Sequence, residues 1–299
     1  MPILPLREIL EDAARGQYAV GYFECWNHDS LLAVADAAEA VRSPVLLGFS
    51  GIYLPHPMRI VQDRLDTLAA LGLEVCKNLS VPTNLVFNES PHLDWVLEAI
   101  DLGFGMVMFS DERLSVEEQI VKVREIVEVA HQRGVAVEGE ALSLPGVAGE
   151  LASSPYDLRL TDIGLACEFV DRTKVDAFAV NIGQAHLHGR QEMRLDIDLL
   201  VELNRRIKVP LVLHGSSSVR RSDLTRAIQL GIRKINVGSR LKQVYFEGIR
   251  DACRAINKVY NPYDVVGSGL EGDVLVAGRI ALQKAVQDLM ELFGSTDKV

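Results

Sequence analysis

Short apolar runs and amphipathic stretches alternate along the whole chain. Eight runs are compact and rich in aliphatic or β-branched residues: Tyr18–Phe23, Pro44–Phe49, Thr83–Phe87, Gly105–Phe109, Val135–Gly139, Asp176–Ile182, Pro210–His214 and Arg233–Val237. Continuous apolar runs bounded by Gly or Pro read as strands covered on both faces, the mark of a parallel sheet. The segments between them repeat every 3.6 residues. Ile120, Val123, Val127 and Ala130 form one stripe behind the capping box Ser115-x-x-Glu118. Leu93, Val96, Leu97 and Ile100 follow Pro91, and a helix opened at Ser222 turns Leu224, Ala227 and Ile228 inward before Gly231 stops it. Eight βα units in 299 residues predict an α/β fold, a closed TIM (β/α)8 barrel forming one domain over residues 1–299. An open doubly wound sheet fits these spacings less well, and no GxGxxG turn follows an early strand, which also argues against a dehydrogenase. Two connections are long. Residues 51–80 hold an extra helical layer, and residues 141–160 read as a mobile active-site loop. A last helix near Val276–Leu292 is expected to close the barrel or meet a neighbouring subunit.

Composition narrows the partners. With 48% hydrophobic residues the chain can bury a large core, and a net charge of -10 disfavours nucleic acid and anionic lipid. There is no apolar run long enough to span a membrane, and Met1-Pro-Ile-Leu-Pro5 lacks the features of a signal peptide. Cys25, Cys76, Cys167 and Cys253 are widely spaced, with no CxxC, and read as reduced thiols. The expectation is a cytoplasmic protein. Cys25 lies near the first strand end, where a nucleophile would sit.

In a barrel of this kind the chemistry gathers where the strands end. The ends here carry Glu24 with Asn27, Ser50, Asn88 with Glu89, Ser110 with Asp111, Glu138 or Glu140, Asn181 with His186, His214, and Asn236 with Ser239. Glu89, His186 and His214 make a two-histidine, one-carboxylate set for a divalent cation such as Zn²⁺, with His188 as a competing ligand. Gly215-Ser-Ser-Ser218 and Val237-Gly-Ser239 are small-residue turns after the seventh and eighth strands, where barrels present backbone N–H groups to anions. Ordinary helix caps would use the same residues.

These residues carry a resemblance to the class II, metal-dependent fructose-bisphosphate and tagatose-bisphosphate aldolases, over nearly the whole chain. Its clearest stretches are Val209-Pro-Leu-Val-Leu-His-Gly215, Gly231-Ile-Arg-Lys-Ile-Asn-Val237, Ala179-Val-Asn-Ile-Gly183 and Val137-Glu-Gly-Glu140. The resemblance implies a TIM barrel, a catalytic divalent metal (Zn, with Mn, Co or Mg as alternatives), a phosphorylated keto substrate and a homodimer or homotetramer. His186 and His214 match two metal histidines of the family, and Glu89 stands at the third position. Asn88 stands where the family has an aspartate that handles a proton; an amide donates a hydrogen bond but exchanges no proton. Gly183, Gly215, Ser217, Asn236, Gly238 and Ser239 match elements that bind phosphate and ketose. Leu187, Ser218 and Arg240 depart from the family pattern, and Arg240 adds an anion-binding fork.

The function expected is a metal-dependent carbon–carbon lyase that works through a metal-stabilised enediolate on a phosphorylated or otherwise anionic keto-sugar-like compound. Asn88 would hydrogen-bond a substrate oxygen. Glu150 on the long loop is the preferred proton carrier, with Glu140, Asp111 and His188 as the other choices. A decarboxylase, isomerase or epimerase would use the same enediolate, and a non-catalytic barrel that binds a metabolite is the rival of a different class.

Overall fold

The computed structural model of the protein describes residues 3–52, 54, 56, 58–142, 160–185 and 192–299. Its eight strands form one closed parallel barrel in sequence order. They are β1 (Val20–Glu24), β2 (Val45–Ser50), β3 (Thr83–Ser90), β4 (Met106–Phe109), β5 (Ala136–Glu140), β6 (Ala177–Ala179), β7 (Leu211–Leu213) and β8 (Ile232–Val237). The helices are α1 (Leu6–Gly16), α2 (His28–Val41), α3 (Leu65–Asn78), α4 (Leu93–Asp101), α5 (Val116–Gln132), α6 (Ile163–Thr173), α7 (Ile197–Arg206), α8 (Arg221–Gln229), α9 (Ser239–Ala255), α10 (Pro262–Val265) and α11 (Val274–Phe293). The predicted TIM barrel is therefore the fold.

Two strands are shorter than the apolar runs that announced them. Val180 N–H still bonds Val212 O of β7, and the ladder ends there because Asn181 N–H turns to Thr161 Oγ1 and Ile182 N–H to Gln184 Oε1. β7 starts one residue after Pro210, which has no N–H to give. β3 is longer than expected and carries Asn88, Glu89 and Ser90 in the strand itself.

Helix caps follow the sequence in part: α8 begins at Arg221, one residue ahead of Ser222, and its start carries no side-chain cap. Asn27 and Ser115 each close a capping box, on α2 and α5. α11 packs against α9, α2 and β1, and its Phe293 stacks on Phe23 at 6.4 Å. No described helix is long and apolar enough to cross a membrane.

The core has two layers. Outward-facing strand residues and the helices make the larger one. The inner one holds Tyr22, Leu46, Val86, Met106, Ala177, Ala179 and Val212 together with Leu6, Ile9, Leu10 and Ala13 of α1. Apolar α1 residues thus close the N-terminal end of the barrel, and the opposite mouth is left for polar groups. Side chains alternate in a strand, so inward positions recur every second residue. That rule carries Val86 up to Asn88, Ala136 to Glu138, Val212 to His214 and Lys234 to Asn236. Along β3, β5 and β7 the apolar plug gives way to a polar side chain within one such step, and on β8 both positions are already polar.

Candidate active site

At the mouth a buried chain of polar groups runs from β8 to β3. Lys234 and Glu138 are fully buried, and the Lys234 Nζ lies 2.9 Å from Glu138 Oε2. Lys234 also donates to Asn236 Oδ1 at 2.5 Å. An ammonium group has only donors, so it fixes which end of the Asn236 amide faces the cavity. Glu138 Oε1 accepts from His214 Nε2 at 2.6 Å, and Glu89 Oε1 accepts from His214 Nδ1 at 3.0 Å. Asn236 Nδ2 lies 2.9 Å from that Nε2 and donates to Asn88 Oδ1 at 3.3 Å. Asn88 Nδ2 in turn donates to Glu89 Oε2 at 2.7 Å.

Glu89 reaches this chain by breaking the alternation. Position 89 is out of phase with Asn88 and would point away from the mouth. Its backbone is left-handed, with φ of 51°, and the β3–β4 register shifts between Phe87 and Ser90. A non-glycine residue at positive φ is held there by its surroundings and marks functional sites more often than chance. Here the twist brings the carboxylate onto His214.

Electrostatics follow from these contacts. Burial pulls the His214 imidazole toward neutrality, but the charge of Glu89 and the bonds to both carboxylates outweigh it and hold its pKa at about 10. Burial likewise pushes Glu138 up, and the opposing charges of Lys234 and His214 bring it below the usual carboxylate range. Lys234 is held below the usual ammonium range because burial outweighs Glu138. An imidazole set between two carboxylates is a place built for positive charge. The geometry also suits a divalent ion. Glu138 ties up Nε2, the arrangement that leaves the other ring nitrogen of a ligating histidine aimed at a metal, and Glu89 faces that nitrogen. A ligand set of three donors is not complete among the described residues. His186 and His188 lie outside them, as do Leu187 and Glu150.

The cavity above this chain has a volume of about 710 Å³. It brings together Asn88, Glu89, His214, Gly215, Ser217, Asn236, Gly238 and Ser239 of the sequence-predicted set. Gly215 adopts φ of 62° at the turn after β7, where Ser216 Oγ donates to Asn236 O. Other predicted residues are placed elsewhere. Glu140 is buried beside Ser110, whose hydroxyl donates to it. Gly183, at φ of 111°, makes a turn in which any Cβ would crowd Arg194 O, and it does not line the cavity. Arg240 is exposed and donates to Gln243 Oε1 at 3.2 Å; Arg59 and Lys242 join His214 as basic side chains on the cavity wall. Asp111 is paired with Arg113. The Cys25 thiol lines the cavity but donates to Phe23 O, and burial pushes its pKa far up, so it carries no nucleophile. Glu138 and Lys234 are the residues sequence reasoning left without roles. Period-two alternation from Ala136 and Asn236 is the signal that finds both.

Comparison with known proteins agrees with the fold. The family described as Fructose-bisphosphate aldolase class-II matches residues 4–298. The chain is 31% identical over 293 residues to a sulfofructosephosphate aldolase of Alkalicoccus urumqiensis, covering 98% of this chain and 96% of the relative. It is 30% identical to a fructose-bisphosphate aldolase of Geobacillus stearothermophilus over 307 residues, 100% of this chain and 99% of that one. Among solved structures, the YdjI aldolase of Escherichia coli K12 superposes with a TM-score of 0.79 at 26% identity, with 99% of each chain covered. The protein belongs to the class II fructose-bisphosphate aldolase family. It is an aldolase-type carbon–carbon lyase, as the sequence motifs implied.

Proposed function

We propose that this lyase cleaves or forms a carbon–carbon bond in a phosphorylated ketose-like substrate, with a divalent ion, Zn²⁺ first among the choices, held by Glu89, His186 and His214. The observation that carries the reading is the His214 imidazole, fixed at Nε2 by Glu138 and turned at Nδ1 toward Glu89. Such an ion, when bound, polarises a carbonyl and stabilises the negative charge that develops on bond cleavage.

The chain's own groups divide the remaining work. Asn236, oriented by Lys234, and Asn88, bonded to both Asn236 and Glu89, present amide groups to substrate hydroxyls. Neither amide moves a proton. Proton transfer then needs another group, for which Glu150, a carboxylate in the long segment after β5, is preferred over Glu140, Asp111 and His188. Glu150→Gln should lower kcat by about 10²-fold or more with little change in KM; a rate within a factor of two of wild type would remove Glu150 from the reaction.

Four free cysteines, at Cys25, Cys76, Cys167 and Cys253, accord with a reducing compartment such as the cytoplasm. Phe246, Val259, Tyr260 and Tyr263 are large, exposed and close in sequence near the α9–α10 junction, which accords with a homodimer or homotetramer.

Metal content tests the central claim. Untagged protein incubated with Zn²⁺ should hold about one equivalent per chain and His214→Ala much less. Equal content in the two, or none in either after incubation with Zn²⁺, Mn²⁺ or Co²⁺, would overturn the assignment.

A further inference from the structure

One wall of the cavity is assembled by the closure of the barrel between β1 and β8. Their parallel register pairs Phe23 with Val237, so Glu24 at the end of β1 lies beside Gly238 at the start of α9. The fit is close: a Cβ on Gly238 would collide with the Glu24 carboxylate. Glu24 is also ion-paired with Lys242, one turn into α9, and the Lys242 ammonium lies 6.0 Å from the Trp26 ring centre. Glu24, Trp26, Gly238 and Lys242 all line the cavity.

The same corner has the makings of an anion site. α9 runs for 17 residues and begins at the cavity with no acidic residue in its first turn and no side-chain cap. Its N-terminus thus presents partial positive charge and backbone N–H groups. Lys242 adds a full charge. Ser218, 3% exposed, lines the cavity from the β7 side, and its hydroxyl has no hydrogen-bond partner among the described residues.

Glu24 already places a carboxylate in this corner. We propose that Glu24 is a specificity-determining residue that competes with the substrate's anionic end for Lys242 and the start of α9. The inference rests on the reading of this cavity as the seat of a phosphorylated substrate. A dianion entering the corner meets a like charge and must draw Lys242 away from Glu24, which weakens binding of a bare phosphate. Substrates are then selected by the contacts along the rest of their length, not by the phosphate alone.

The probe is inorganic phosphate, titrated by calorimetry into wild-type protein, Glu24→Gln, Lys242→Met and the double variant, each checked for a cooperative thermal transition. Glu24→Asn stands in if Glu24→Gln does not fold. Removing the competing charge should tighten phosphate binding by about tenfold, and adding Lys242→Met should cancel that gain. Affinity in Glu24→Gln that is unchanged or weaker would overturn the proposal, since Glu24 would then be neutral toward the anion or helping to bind it. Absence of phosphate binding in both wild type and Glu24→Gln would overturn it as well. Neither result bears on the metal content of the Glu89–His214 end, so the two readings fail separately.

Discussion

Lys234→Met should destabilise the protein by about 3–5 kcal/mol, the cost of leaving one member of a buried ion pair without its partner. Lys234 and Glu138 are both fully buried, and among the described residues the lysine's ion pair is with Glu138 at 2.9 Å. Methionine matches the length of the lysine stem but not its charge. Glu138 would keep His214 and lose the cation that, after burial, affects it most. The midpoint of urea denaturation, measured on metal-free protein, reads the effect. A loss under about 1 kcal/mol would show that water or a relaxed backbone already serves Glu138. The double variant Lys234→Met/Glu138→Leu should recover part of the loss, because no carboxylate is then buried without its cation, and the acceptor that His214 Nε2 gives up limits the recovery. Lys234 also sets the orientation of the Asn236 amide, so kcat should fall in both variants even where stability returns.

Metal-free protein should also become less stable as the pH rises from about 6.5 towards 10. The folded state holds the His214 proton up to a pKa of about 10, against 6.5 for an unperturbed imidazole. A folded-state pKa above the unfolded value stabilises in full below the lower figure, and the contribution is lost as pH climbs through the upper one. Within that window the unfolded chain gives up the proton first. Above about 10 the folded chain loses it too, and Glu89 and Glu138 face each other across a neutral ring. Thermal melts in chelator across this range provide the measurement, with His214→Gln as the variant in which the decline should vanish. Saturation with a divalent cation should flatten the wild-type curve, since a metal replaces the proton as the positive charge between the carboxylates. A flat curve in chelator would mean that His214 is neutral in the folded protein.

Much of this site is legible in the sequence because a barrel strand has only two faces. Once Val209–His214 and Arg233–Val237 are read as strands, His214 and Asn236 fall at the mouth without further information. Glu138 and Lys234 were harder. Lysine in Arg233-Lys-Ile-Asn236 looks like a solvated position, and only the contact with a carboxylate 96 residues away in sequence makes its burial tolerable. Glu140 and Arg240 present the reverse case. Each has the right charge near the right strand, but Glu140 meets Ser110 and Arg240 follows the helix surface to Gln243. Glu24 illustrates a third limit. Its role depends on the seam where the first and last strands meet, a contact that no local pattern encodes.

The left-handed backbone at Glu89 has a consequence for how this mouth can change over generations. Asn, Asp and His enter that conformation more readily than other side chains, and β-branched residues almost never do. Position 89 is therefore a filter on drift. Exchanges among Glu, Asp, Asn and His alter the charge and donor atoms at the mouth while the bend in β3 survives; Val, Ile or Thr would force the strand to be rebuilt. Descendants of one barrel can thus try new chemistry at this position without first giving up the fold.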